Sequence, residues 1–211
     1  MSRMWEFRVT TTEATQAIAE RLGALLATGD LLVLSGELGA GKTTFTQGLG
    51  RGLGVRPGII SPTFVLVRIH PNLTDGPNPG GPDLVHVDAY RLESAGEVDD
   101  IDLENTMDSA VTVVEWGAGR VEHLTESRLE IHLLRATGAG EGGAAPNEGG
   151  ADDGADDGED EPRLLRISAI GPRWNGADLS DLSPSGSDSR SGTGFASGTG
   201  RMPPPGAEPM D

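Results

Sequence analysis

The chain has 211 residues, 36% of them hydrophobic and only 4% aromatic, which suits one folded domain accompanied by low-complexity segments. It has no cysteine, so disulfides, thiolate metal sites and cysteine nucleophiles are excluded. The net charge of −17 is uneven, with 19 acids and 11 bases in residues 1–135, nine acids and no base in 136–162, and five of each in 163–211; nothing resembles a basic nucleic-acid footprint.

In chain order, Thr10-Thr11-Thr12-Glu13 reads as a capping box opening a helix. Ala14, Ala17, Ile18, Leu22, Leu25 and Leu26 give that helix its inward face, and Gly29-Asp30 close it. Residues 31–35 (LLVLS) form a continuous apolar run, the mark of a strand buried on both faces. A glycine-rich loop follows, then a predicted helix from about 42 to 53 with Gly54 as its stop. Ser61-Pro62-Thr63 predicts a loop, residues 64–69 (FVLVRI) a strand, and the Pro/Gly-rich stretch 72–82 a flexible connection. Residues 84–88 (LVHVD) and 111–115 (VTVVE) are two further apolar strands, each ending in a carboxylate, with an acidic helical stretch at 95–109 between them. Residues 128–135 and 163–170 alternate apolar and polar, predicting an antiparallel hairpin.

The resulting organisation is a main body over 1–135, an acidic low-complexity insert at 136–162, the final strand of the same domain at 163–174, and a disordered tail at 175–211. The expected fold is a three-layer α/β domain with a mixed, partly antiparallel central sheet. No apolar run approaches the roughly 20 residues of a membrane span. The N-terminus also lacks an apolar signal core, so a cytoplasmic protein without membrane contact is expected.

Gly36-Glu37-Leu38-Gly39-Ala40-Gly41-Lys42-Thr43 matches the phosphate-loop pattern G-x-x-x-x-G-K-[ST]. Its glycines allow backbone N–H groups to turn inward around phosphate, and the helix that follows adds free donors and a partial positive charge. Lys42 is positioned to bridge the β- and γ-phosphates, and the Thr43 hydroxyl to ligate Mg²⁺; the ATP-binding segment is taken as Gly36 to Thr44. Fifteen of the 16 basic residues are Arg, and the single lysine is Lys42, where a slender ammonium fits and a planar guanidinium does not. The loop follows a predicted buried strand and opens a predicted helix, as the mechanism requires.

A phosphate-loop site also needs an acid at a neighbouring strand end, to hold the metal or its water shell. Asp88 and Glu115 both qualify, and spacing does not rank them. Ser61-Pro62-Thr63-Phe64 follows the loop helix, where switch segments sit. His86 and Tyr90 flank Asp88 on the same side and read as satisfied polar residues at a sheet edge.

The series GELGAGKTT, SPTF followed by VLV, HVDAYRL and VVEW, in this order, resembles the TsaE family of bacterial tRNA-modification ATPases. The resemblance runs from about Thr11 to Arg135 and resumes from Arg163 to Trp174. It implies a Mg²⁺-dependent ATPase needed for threonylcarbamoyladenosine (t6A) formation at position 37 of tRNAs reading ANN codons. It further implies action through the TsaD and TsaB proteins, with tRNA engaged only indirectly. By the same resemblance Glu115 is the protein ligand to Mg²⁺ and Asp88 a catalytic or water-positioning acid. Thr63 belongs to a switch-like loop, while Thr12 and Arg163 approach the adenine side. Two departures stand out: the insert at 136–162 replaces a short turn, and Asp102 occupies a position where glycine is common.

Two rivals share the loop. A small-molecule kinase needs an acceptor-binding insertion and an Arg-bearing lid, and no helical lid is visible. A non-catalytic nucleotide-dependent binding module is opposed by the acids at both strand ends. A GTPase is excluded, because guanine recognition through Asn-Lys-x-Asp needs a second lysine.

Overall fold

The computed structural model describes residues 2–92, 94–135 and 162–183. Its chain order is β1 (Arg3–Val9), α1 (Thr12–Gly23), β2 (Leu31–Gly36), α2 (Lys42–Leu53), β3 (Val67–His70), β4 (Asp83–Asp88), α3 (Ala95–Asp99), α4 (Glu104–Met107), β5 (Ala110–Glu115), β6 (Arg128–Arg135) and β7 (Arg163–Ile170). The strands form one seven-stranded mixed sheet, ordered β1-β7-β6-β2-β5-β4-β3. β2 runs parallel to both β5 and β6, and β4 runs parallel to β5; β3, β7 and β1 join antiparallel.

The two-sided burial of β2 explains its unbroken apolar sequence. Leu32 and Leu34 face a core shared with Ile18, Leu22, Phe45 and Leu49 of α1 and α2. Leu31 and Val33 face a second core with Val85, Val87 and Val114, closed by Val98 of α3, by Leu103 just before α4 and by Met107 at its end. The expected three layers are present, although the second outer layer is two short helices and loops. Within the first layer, α1 and α2 meet backbone to backbone. A methyl group added at Gly48 would fall 2.4 Å from the Gln16 carbonyl oxygen, and one at Gly52 would fall 2.0 Å from that of Glu20. Glycines that weaken an isolated helix are required here by the close approach.

Several expectations need correction. The cap of α1 is Thr11, whose side chain accepts from the Ala14 amide; with alanine at the third helical position, the capping box expected from Thr10 and Glu13 is not formed. The helix ends at Gly23, leaving Leu25 53% exposed instead of inward. Residues 64–66 do not join a strand. The Val65 and Leu66 amides both return to the Pro62 carbonyl, Leu66 takes φ +64°, and Phe64 stands 91% exposed. The connection at 72–82 is organised by Asn72, whose side chain donates to the Leu53 and Asn78 carbonyls and accepts from the Gly80 amide. The acidic helical stretch is divided, because Asp102 adopts φ +51° between α3 and α4. That is the left-handed conformation for which glycine is the unstrained residue.

β1 carries no sequence expectation, since only Phe7 and Val9 of its residues are buried. The expected tail includes structure at its start: Leu179 and Leu182, beside a short 3₁₀ turn at Ser180–Leu182, are buried in the α1–α2 core. Arg21 of α1 donates to the Asp181 and Ser183 carbonyls and fastens this segment. The expected hairpin of β6 and β7 forms, with a register running from Arg128↔Ile170 to Arg135↔Arg163. The insert at 136–161 and the tail from 184 lie outside the described residues.

Candidate functional site

The loop between β2 and α2 is shaped by three positive-φ glycines: Gly36 at +150°, Gly39 at +76° and Gly41, the α2 N-cap, at +98°. A side chain at Gly36 would collide with the Leu133 carbonyl oxygen of β6, 2.6 Å away. Glu37 and Leu38 lie on the outer turn, Ala40 is buried, and Thr44 sits in the first turn of α2. The free N–H groups of that turn therefore open at the carboxyl ends of the parallel strands, where α/β sheets bind ligands.

Lys42 lies in the mouth of the loop, where its Nζ donates to the Gly36 and Glu37 carbonyls at 2.9 Å each. The ammonium also stands 3.8 Å from the centre of the Trp116 ring. Burial pushes the Lys42 pKa below that of a free lysine, and the carboxylates of Glu115 and Asp88 partly counter this. Trp116 takes φ +62°, which turns the chain sharply at the end of β5 and brings its indole beneath the lysine. The edge of Tyr90 packs on that indole at 5.3 Å between centroids. Arg120 donates to the Trp116 and Ala89 carbonyls and ties the exits of β5 and β4 together.

The two strand-end acids are register partners across β4 and β5, and both are buried. Their hydrogen bonds differ. Glu115 Oε1 accepts from the Thr43 hydroxyl at 3.0 Å and lies 2.8 Å from His86 Nε2. Asp88 Oδ2 accepts from the hydroxyls of Ser61, at 3.0 Å, and Thr63, while its Oδ1 accepts from the Tyr90 amide. Geometry thus separates what spacing left unranked: Glu115 belongs to the loop threonine, and Asp88 to the Ser61–Thr63 segment.

Thr12 and Arg163 reach this end of the sheet by a different route. Arg163 begins β7, opposite Arg135 on β6 and Val9 on β1, and Thr12 follows Val9 by three residues. The Arg163 guanidinium would lie 3.4 Å from a methyl group at Gly41, whereas Thr12 is exposed at the first position of α1.

Sequence reasoning left three neighbours of the site without a role. His86 is fully buried on β4, between β5 and β3, and not at a sheet edge. Ser61 carries one of the two hydroxyls on Asp88. Arg135, at the last position of β6, places its guanidinium 2.8 Å from where a Gly39 methyl group would be. The i−2 spacing of His86 from Asp88 was the signal for the first; the other two depend on tertiary contacts that no local pattern reveals.

A family model described as threonylcarbamoyl adenosine biosynthesis protein TsaE matches residues 9–141. A tRNA threonylcarbamoyladenosine biosynthesis protein TsaE of Streptomyces coelicolor is 48% identical over 166 residues, 78% of this chain and 97% of that protein. The protein of the same name from Bacillus subtilis is 39% identical over 132 residues, 62% of this chain and 78% of its own length. The crystal structure of B. subtilis YdiB superposes with a TM-score of 0.56 at 30% identity, covering 83% of this chain and 91% of that one. With a positive-φ glycine loop, a lysine in its mouth and an acid from β5 on its threonine, the site matches the P-loop motif in the sequence, and the chain belongs to the TsaE family.

Proposed function

We propose that this chain is a cytoplasmic Mg²⁺-dependent ATPase serving threonylcarbamoyladenosine formation at position 37 of tRNAs reading ANN codons. It acts through the TsaD–TsaB complex and does not transfer the group itself. The observation that carries this reading is the Thr43–Glu115 hydrogen bond at the foot of the loop, with Lys42 buried beside it.

The donors suit magnesium. Among the described residues no three His, Asp or Glu side chains cluster to form a complete metal cage. One hydroxyl and one carboxylate are the small all-oxygen set Mg²⁺ uses when phosphates and water fill its other positions. Thr43 and Glu115 would hold the ion, which when bound neutralises charge developing on the β- and γ-phosphate oxygens. His86, with its Nε2 on Glu115 Oε1, fixes the orientation of that carboxylate. Lys42 supplies a cation whose hydration has already been stripped by burial, so its attraction for phosphate is little screened. Asp88 orients the attacking water and takes its proton, held in place by the Ser61 and Thr63 hydroxyls. Gly36, Gly39 and Gly41 present backbone donors to the phosphates, and Arg163 and Thr12 lie on the adenine side. Among the described residues no helix is long and apolar enough to cross a membrane.

The test is steady-state ATP hydrolysis by the parent and by Lys42→Ala, each with and without TsaD–TsaB. Mg²⁺-dependent turnover by the parent, faster with the partners and abolished in the variant, is expected. Parent-like turnover in Lys42→Ala would refute the site assignment. Tight nucleotide binding with no turnover under any condition would make the chain a binding module instead.

A further inference from the structure

The metal-side residues and the two arginines occupy opposite flanks of β2. Glu115 and Asp88 end β5 and β4 on one side; Arg135 and Arg163 lie on β6 and β7 on the other. On β6, Ile131, Leu133 and Arg135 share one pleat face, and the first two pack into the α1–α2 core. The antiparallel partners share it too, with Leu165 opposite Leu133 in the same core and Arg163 opposite Arg135. Both guanidiniums therefore emerge on the side of the sheet that carries the loop. Their placement is direct: a methyl group at Gly39 would fall 2.8 Å from Arg135, and one at Gly41 3.4 Å from Arg163. The Arg163 Nε is buried and has no partner among the described residues, one buried donor that a ligand could satisfy.

A nucleotide on the loop has only one orientation consistent with this arrangement. Its γ-phosphate must face Thr43, Glu115 and Asp88, so the α-phosphate and the nucleoside point toward β6 and β7. We propose that Arg135 is a nucleotide-binding residue, its guanidinium gripping the α-phosphate over Gly39 while Arg163 lies beside it toward the nucleoside. A planar guanidinium suits this place, because two of its N–H groups can reach two phosphate oxygens at once. The inference rests on the nucleotide-binding reading above and adds a second side-chain cation to the phosphates, at the end away from Lys42.

Calorimetric titration of the full chain with ATP and with ADP tests it, using the parent, Arg135→Ala and Arg135→Lys. An α-phosphate contact is common to both nucleotides, so Arg135→Ala should lose about tenfold in affinity for each, leaving the ATP-to-ADP ratio unchanged. Arg135→Lys, which keeps the charge but not the fork, should fall between. Thermal melting of each variant without nucleotide separates a lost contact to nucleotide from a lost fold. Unchanged affinity in Arg135→Ala, with the parent binding normally, overturns this proposal alone. A loss confined to ATP overturns the α-phosphate assignment by moving the contact to the γ end. Failure of the parent to bind either nucleotide overturns the nucleotide-binding reading, and this inference with it.

Discussion

Asp88 and Glu115 are neighbours across two strands, yet their hydrogen-bond partners differ, and different roles are predicted from that. Glu115 is bound by the loop threonine and a buried histidine, so its removal should act on the metal. Glu115→Ala is expected to weaken the apparent Mg²⁺ affinity of the nucleotide complex by about 10–100-fold or more. Asp88→Ala should leave metal and nucleotide bound but slow hydrolysis by about 10²–10⁴-fold. The indole of Trp116 reports the first directly, because Lys42 rests on it and a change in the lysine's position alters its surroundings. A Mg²⁺ titration followed by tryptophan emission that is identical in the parent and Glu115→Ala would exclude the ligand role. At this scale the sequence was most legible where chemistry is local. The loop glycines, Lys42 and Thr43 form one contiguous octet, and both acids end apolar runs. His86 on Glu115 and Ser61 on Asp88 were not legible as bonds, because each joins segments separated by more than 20 residues.

Among the elements, the α1–α2 contact makes the sharpest prediction. Gly48→Ala and Gly52→Ala each improve intrinsic helix propensity, but their methyl groups would meet backbone carbonyl oxygens that cannot rotate away. Each is expected to destabilise the domain by about 1–3 kcal/mol, read as a fall in Tm or in urea midpoint. Gly96→Ala in α3 is the control. Its nearest neighbour is the Ser94 hydroxyl at 3.9 Å, so it should be neutral or slightly stabilising. Equal effects of all three would show that helix packing is not the cause. The elements that were misread share a physical origin. β1 alternates so strongly, with charged residues at three of seven positions, that its two buried side chains leave little signal. Residues 64–66 are apolar enough for a strand, but the Pro62 carbonyl captures two successive amides and the run is spent in a turn. Leu179 and Leu182 lie among Asp and Ser, so their burial depends on a surface supplied by α1.

For the whole molecule, the register of β6 with β7 predicts that the hairpin can close without the insert. Arg135 and Arg163 are already direct partners, so a short Gly/Ser turn can close the hairpin in place of residues 136–162. The shortened protein should match the parent in Tm and in ATP turnover, and loss of soluble protein would show that the insert belongs to the core. It also sharpens a question of charge, since even without those nine acids residues 1–135 carry a clear acidic excess. Proteins that grip nucleic acid alone neutralise phosphates with clustered bases. Here the one lysine lies in the loop, and Arg51 is engaged with Glu20 and Gln16. Neither form should retard tRNA in a mobility-shift gel at low salt, and a complex should appear only after TsaD–TsaB is added. A salt-sensitive complex with the chain alone would sink the idea that tRNA is reached through partners.

The two walls of the cleft differ in mechanical compliance. On one side α2 is seated on α1 through main-chain atoms, leaving no rotamer that could yield. On the other, residues 61–66 are held by two hydroxyls on Asp88, by the Pro62 carbonyl and by the Asp88 amide on the Leu66 carbonyl. Arg91 also holds them, donating to the Thr63 carbonyl and lying over the exposed Phe64 ring. A rearrangement at Asp88 would therefore be passed to the wall held by side-chain bonds. Such a change around one carboxylate would reach the surface at Phe64, the most exposed ring of that segment.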